Sequence, residues 1–121
     1  MEFADIFNQI EEYQKEMGYN FNNMLLQDRM AIFRNYILAL QVEQVELLNE
    51  LPWKPWRDSS KQQHGTKEII ANEWVDCLFF LVDQALCLGL SAEEVLKAFK
   101  QKMQINLARI ETGYNQIREE D

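Results

Sequence analysis

Six carboxylates on two otherwise apolar stretches are the residues best placed to do chemistry. Glu43, Glu46 and Glu50 are the only charged residues between Tyr36 and Leu51, and Glu73, Asp76 and Asp83 the only ones between Ile69 and Leu88. At helical spacing the first three fall within an arc of about 60° and the second three within about 80°. An ordinary solvated face mixes acids with Lys and Arg, whereas each of these carries one sign. Both stretches have apolar surface to cover, so they are expected to pack together and bring the acids into one place. Like charges about 4 Å apart cost on the order of 4 kcal/mol per pair at an effective dielectric near 20, so such a cluster calls for a cation. Oxygen-only donors favour Mg²⁺, with Mn²⁺ as a substitute, over zinc. Mg²⁺ keeps waters and takes phosphate oxygens as further ligands, which makes a phosphorylated small molecule the matching substrate class. The competing reading is that both stripes are solvated faces of a bundle, because acids at i, i+3 are common on helices. Two such pairs on two apolar helices weigh against it.

The elements that must position these acids read as helices. Phe3, Ile6, Phe7, Ile10, Tyr13 and Met17 recur at helical spacing and Gly18 follows them, which predicts a first helix over 2–17. A second is expected over 28–51, stopped by Pro52, and a third over 66–88, capped by Thr66 and ended by Gly89. Ser91 and Glu94 form a capping-box pattern for a fourth helix over 91–112. Residues 52–65, PWKPWRDSSKQQHG, have no apolar period and read as a loop. The fold class is therefore all-α, a four-helix bundle core in a single domain, 1–121. A net charge of -8 argues against nucleic-acid polymers and anionic membranes as partners. Cys77 and Cys87 lie about 15 Å apart along one helix, too far for a disulfide, and read as buried thiols. With no basic-then-apolar N-terminal run and no apolar stretch of membrane length, the cytoplasm is the expected location.

Glu43-x-x-Glu46, 26 residues, then Glu73-x-x-Asp76 resembles the signature of the all-α nucleoside triphosphate pyrophosphatases, the superfamily of MazG-like enzymes and dimeric dUTPases. ELLNELPWKPW and KMQINLARIETGY are similar to the dUTPase branch, with its Asn-Glu pair, its Lys-x-Trp and its terminal Gly-Tyr. The resemblance covers residues from about 34 to 114 and completes the bundle by dimerisation, as a homodimer or a dimer of dimers. It implies that Glu43, Glu46, Glu73 and Asp76 hold Mg²⁺, that Glu46 is the general base, and that a metal-activated water attacks the α-phosphorus of a nucleoside triphosphate. dUTP, giving dUMP and pyrophosphate, is the expected substrate. A MazG-like house-cleaning activity on dCTP or non-standard nucleotides is the alternative, and a helical interaction protein without turnover the distant one.

Further roles follow from the resemblance together with spacing. Lys102, Asn106 and Arg109 share one arc of the fourth helix and are expected to grip the phosphates with Tyr114 and Lys54, although a basic stripe near a helix end is also a common solvated face. Trp53 and Trp56 are expected either to stack on the base or to pin the loop. Gln14 and Asn20 are candidates for amide contacts to the base on the resemblance alone. Glu50 is a possible extra ligand, and His64 reads as a plain surface residue. Two departures bear on base preference: Phe79-Phe80 stands where the dUTPase pattern has His-Phe, and Ile110 where it has Gln. An excess of apolar surface on the first and third helices suggests a partner subunit.

Overall fold

The computed structural model describes residues 1–113. Four helices carry them: α1 (Phe3–Glu16), α2 (Leu26–Leu48), α3 (Lys67–Cys87) and α4 (Ala92–Glu111), with short 3₁₀ turns at Phe21–Asn23 and Ser59–Lys61 and no strand among the described residues. The all-α expectation holds. The chain divides into two compact units, one over residues 1–89 and one from residue 90 onward. In the first, α2 packs along α3 and α1 packs against α3.

Local chemistry sets the ends of these helices. Asp5 accepts the backbone N–H of Glu2 at the start of α1, and Gly18 ends it at φ +97°, where Tyr19 N–H reaches back to Gln14 O. α2 differs from expectation at both ends. It begins at Leu26, two residues early, with Asp28 in its first turn where a negative charge complements the helix dipole. It ends at Leu48 rather than Leu51. Leu51 precedes Pro52, which disfavours helical geometry in the preceding residue, and the last turn tightens into Glu50 N–H to Leu47 O and Leu51 N–H to Leu48 O bonds. Glu50 therefore sits past the helix and not on its wheel. Thr66 Oγ1 accepts Ile69 N–H to cap α3, and Ser91 and Glu94 exchange the reciprocal bonds of a capping box on α4.

Phe7 and Ile10 of α1, Phe21, and Cys77, Val82, Leu86 and Cys87 of α3 are buried. Both cysteines are free. Among the described residues, two of the buried ones are polar, Gln14 and Asp83, and they lie among the candidate site residues. No single helix among those described is long and apolar enough to cross a membrane.

Candidate active site

The two acidic stripes meet where α2 packs on α3. Glu43 from α2 and Glu73 and Asp76 from α3 each offer a carboxylate oxygen within 4.8 Å of the others. Glu46 is close enough to push up the pKa of both Glu43 and Glu73. Glu43 is raised above its usual range first by burial, then by the charges of Glu46 and Asp76, and less by Glu73. Glu73 is raised by burial, then by Glu46, Asp76 and Glu50. Among the described residues, the charges that raise these two groups are all carboxylates. Glu43 Oε2 and Glu73 Oε2 are also buried without a hydrogen-bond partner among the described residues. A buried acceptor with nothing to accept from is costly. Two of them among neighbouring carboxylates fit a hard cation that they would ligate, and the all-oxygen donor set agrees.

The loop after α2 closes beside this cluster. Gly65 N–H donates to Glu50 O at 2.7 Å and Gln63 Nε2 to Glu50 Oε2 at 3.3 Å. A Cβ on Gly65 would stand 3.0 Å from Glu50 Cβ and 3.2 Å from Glu50 O, so a larger residue there would push the loop off Glu50.

A cavity of about 410 Å³ opens from the acids. Glu43 and Asp76 line it, as do Gln14, Tyr36 and Asp83, with Tyr13, Met17, Phe79 and Phe80 supplying apolar wall. Gln14 Nε2 donates to Asp83 Oδ1 at 2.7 Å, and Tyr36 Oη donates to Gln14 Oε1 at 3.3 Å. Burial pushes the Asp83 carboxyl up to about 6, against the opposing pull of the Gln14 hydrogen bond. Burial and the neighbouring Asp83 push the Tyr36 phenol up to about 12. Sequence reasoning gave Tyr36 no role and Asp83 only a place in the stripe. The signal for Asp83 was partial: its place two turns beyond Asp76 on a mostly apolar helix marks it as an acid to account for, and nothing in the sequence names its partner.

A cluster of orphaned carboxylates beside an amide-bearing cavity suits a phosphorylated ligand with a polar ring, and the same residues carry a likeness to known proteins. A family model described as dUTPase matches residues 6–88, which span α1 through α3 and the whole of this cavity. The chain belongs to the dUTPase family. A second family model, described as dATP/dGTP pyrophosphohydrolase, matches residues 67–119. Over 71 residues the chain is 34% identical to a protein of Enterobacteria phage LZ5 named dCTP pyrophosphatase, an alignment covering 51% of this chain and 41% of that one. The chain thus spans well under two thirds of that relative. No solved structure matches.

Other residues that the dUTPase resemblance singled out lie elsewhere. Trp53 and Trp56 pack edge to face at 5.6 Å, Trp53 Nε1 donates to Asn49 Oδ1, and Lys54 Nζ lies 5.9 Å from the Trp53 ring centre. Trp53 and Lys54 line a separate hollow of about 230 Å³ with Arg57 and Lys61. Gln62 braces that loop through bonds to the backbone of Lys54 and Arg57. His64 is exposed and bonds to Ser59 O within the same loop. Asn20 is exposed beside the Phe21–Asn23 turn and does not line the 410 Å³ cavity. Lys102, Asn106 and Arg109 lie at i, i+4 and i+7 on α4, in the second unit, with Lys102 exposed and the other two half-buried. Tyr114 lies outside the described residues.

Proposed function

We propose that the chain is a Mg²⁺-dependent nucleoside triphosphate pyrophosphohydrolase that converts dUTP to dUMP and pyrophosphate. The observation that carries this reading is the meeting of Glu43, Glu73 and Asp76 with two buried, unpartnered oxygens beside a cavity. Glu43, Glu46, Glu73 and Asp76 would hold the metal, with Mn²⁺ able to substitute. Bound there, the ion supplies neutralising charge for the triphosphate and lowers the pKa of an attacking water. Glu46 is exposed and adjoins the other acids, so it can accept the proton of that water. Gln14 offers its amide to the base, and Phe79 and Phe80 offer ring surface. Lys54, Lys102, Asn106, Arg109 and Tyr114 are the proposed phosphate ligands. Trp53 and Trp56 would reach a base by movement of their loop.

The name of the phage relative favours a second reading in which dCTP is the substrate. A panel of deoxynucleoside triphosphates with Mg²⁺ and a pyrophosphate readout separates the two. Release from dUTP above the others supports the first reading, release from dCTP the second, and no release from any nucleotide overturns both.

The proposal extends to a cytoplasmic homodimer. Leu38, Val42 and Val45 recur on one face of α2 and are exposed, as are Trp74 and Leu81 of α3. Sedimentation at micromolar concentration should give twice the monomer mass or a multiple of it, and a monomer alone would count against the pairing. Free thiols at Cys77 and Cys87 suit a reducing compartment.

A further inference from the structure

Gln14 is 3% and Asp83 2% exposed, yet both line the cavity that also holds Glu43 and Asp76. Building on the pyrophosphohydrolase reading, we propose that Asp83 is a positioning residue for base selection: its bond to Gln14 fixes which way that amide faces the cavity. An amide carries two N–H donors on one atom and two lone pairs on the other. Asp83 Oδ1 takes one hydrogen from Nε2, and Tyr36 Oη fills one lone pair of Oε1. One donor and one acceptor remain, and their order is the information that the site presents to a base.

The two partners do not fix that order equally. A hydroxyl both donates and accepts, so Tyr36 would serve either amide orientation by rotating its proton. Above its pKa of about 6 Asp83 is a carboxylate, which only accepts. Turned over, Gln14 would place Oε1 against Asp83 Oδ1 at 2.7 Å with no proton between them. Asp83 therefore decides the orientation. Uracil presents an N–H flanked by carbonyls, and cytosine presents a bare ring nitrogen flanked by an amino group. At ring positions 3 and 4 the two edges are inverse patterns, while the carbonyl at position 2 is common to both, so an amide locked against positions 3 and 4 matches one base and an amide free to turn serves both. A buried polar mismatch is worth about tenfold or more in discrimination.

The test is the ratio of kcat/KM for dUTP and dCTP. The unmodified protein should differ between the two by about tenfold or more. Asp83→Asn keeps the shape and can either donate or accept, so it should bring the ratio close to one, mostly through KM. Tyr36→Phe should raise both KM values and keep the ratio. An unmodified ratio within twofold, or an Asp83→Asn ratio equal to the unmodified one, overturns the inference. Should Asp83→Asn fail to fold by circular dichroism, Gln14→Leu, which removes the amide, should also bring the ratio close to one, and a ratio it leaves unchanged overturns the inference. Should no nucleotide be turned over, the catalytic reading falls separately. The Kd ratio for dUMP and dCMP, read by tryptophan fluorescence, then decides this inference by the same thresholds, with an absence of binding counting against it.

Discussion

Asp76 and Asp83 lie two turns apart on α3 and line the same cavity, but their surroundings differ. Asp83 is buried and has Gln14 at 2.7 Å. Asp76 is exposed and stands among Glu43, Glu46 and Glu73, where two buried oxygens have no donor. One acid is satisfied by the protein's own side chains, and two oxygens of the others have no donor among the described residues. A group satisfied internally contributes to a fixed shape, and a group left wanting contributes to binding, often at some loss of stability.

The sharpest break of this contrast is charge removal in the unsatisfied cluster. Glu46→Gln should lower kcat by about 10² to 10⁴ while the fold persists. Glu73→Gln should also abolish most activity, yet raise the thermal midpoint measured without metal, because it removes one of the mutually repelling charges. A lowered midpoint would mean that Glu73 is a structural acid like Asp83.

Metal and pH sharpen the same contrast by a smaller amount. Mg²⁺ should raise the thermal midpoint of the unmodified protein and not that of Glu73→Gln, since a ligand stabilises only the state that binds it. Its apparent affinity should weaken as pH falls, because protons compete for Glu43 and Glu73, both raised above their usual range. For the metal-free protein the sign is opposite. Asp83 titrates at about 6 when folded against an ordinary 3.8. Between those values the folded protein holds a proton that the unfolded chain has released, so stability should fall as pH rises through that window and level off above it. Glu43 and Glu73 act in the same direction. Thermal midpoints from pH 4 to 7, with and without Mg²⁺, read both effects. A metal-free protein that gains stability across that range would contradict the burial of Asp83.

The helices were legible because their signals are local: the period of the apolar residues, Gly18, Thr66 and the Ser91–Glu94 pair. The end of α2 was less so, because Pro52 acts on the residue before it and not only on its own missing donor. The meeting of Glu43, Glu73 and Asp76 could be read from one-sign stripes on two apolar helices. What the sequence could not yield was pairing across distance. Gln14, Tyr36 and Asp83 stand on three different helices, and nothing local to any of them announces the other two. The tryptophans show the same limit: their chemistry suits either a base or a pinned loop, and nothing local announces that the loop folds on itself through Gln62 and leaves Trp56 68% exposed.

The finest test of the contrast concerns how far Asp83 depends on its one donor. Gln14→Leu leaves that carboxylate buried and unpaired, and should cost about 1–3 kcal/mol at pH 7 by denaturant unfolding. The Gln14 bond holds the Asp83 pKa down, so its loss pushes the group further up and makes it neutral at a higher pH. A neutral carboxyl is cheaper to bury, so the cost of Gln14→Leu should shrink at pH 5. Tyr36→Phe leaves the bond to Asp83 in place and should cost only about 0.5–1.5 kcal/mol, equally at both pH values. If the two variants instead lose stability alike and without regard to pH, the Gln14–Asp83 bond is one polar contact among many and the distinction between the two acids on α3 dissolves.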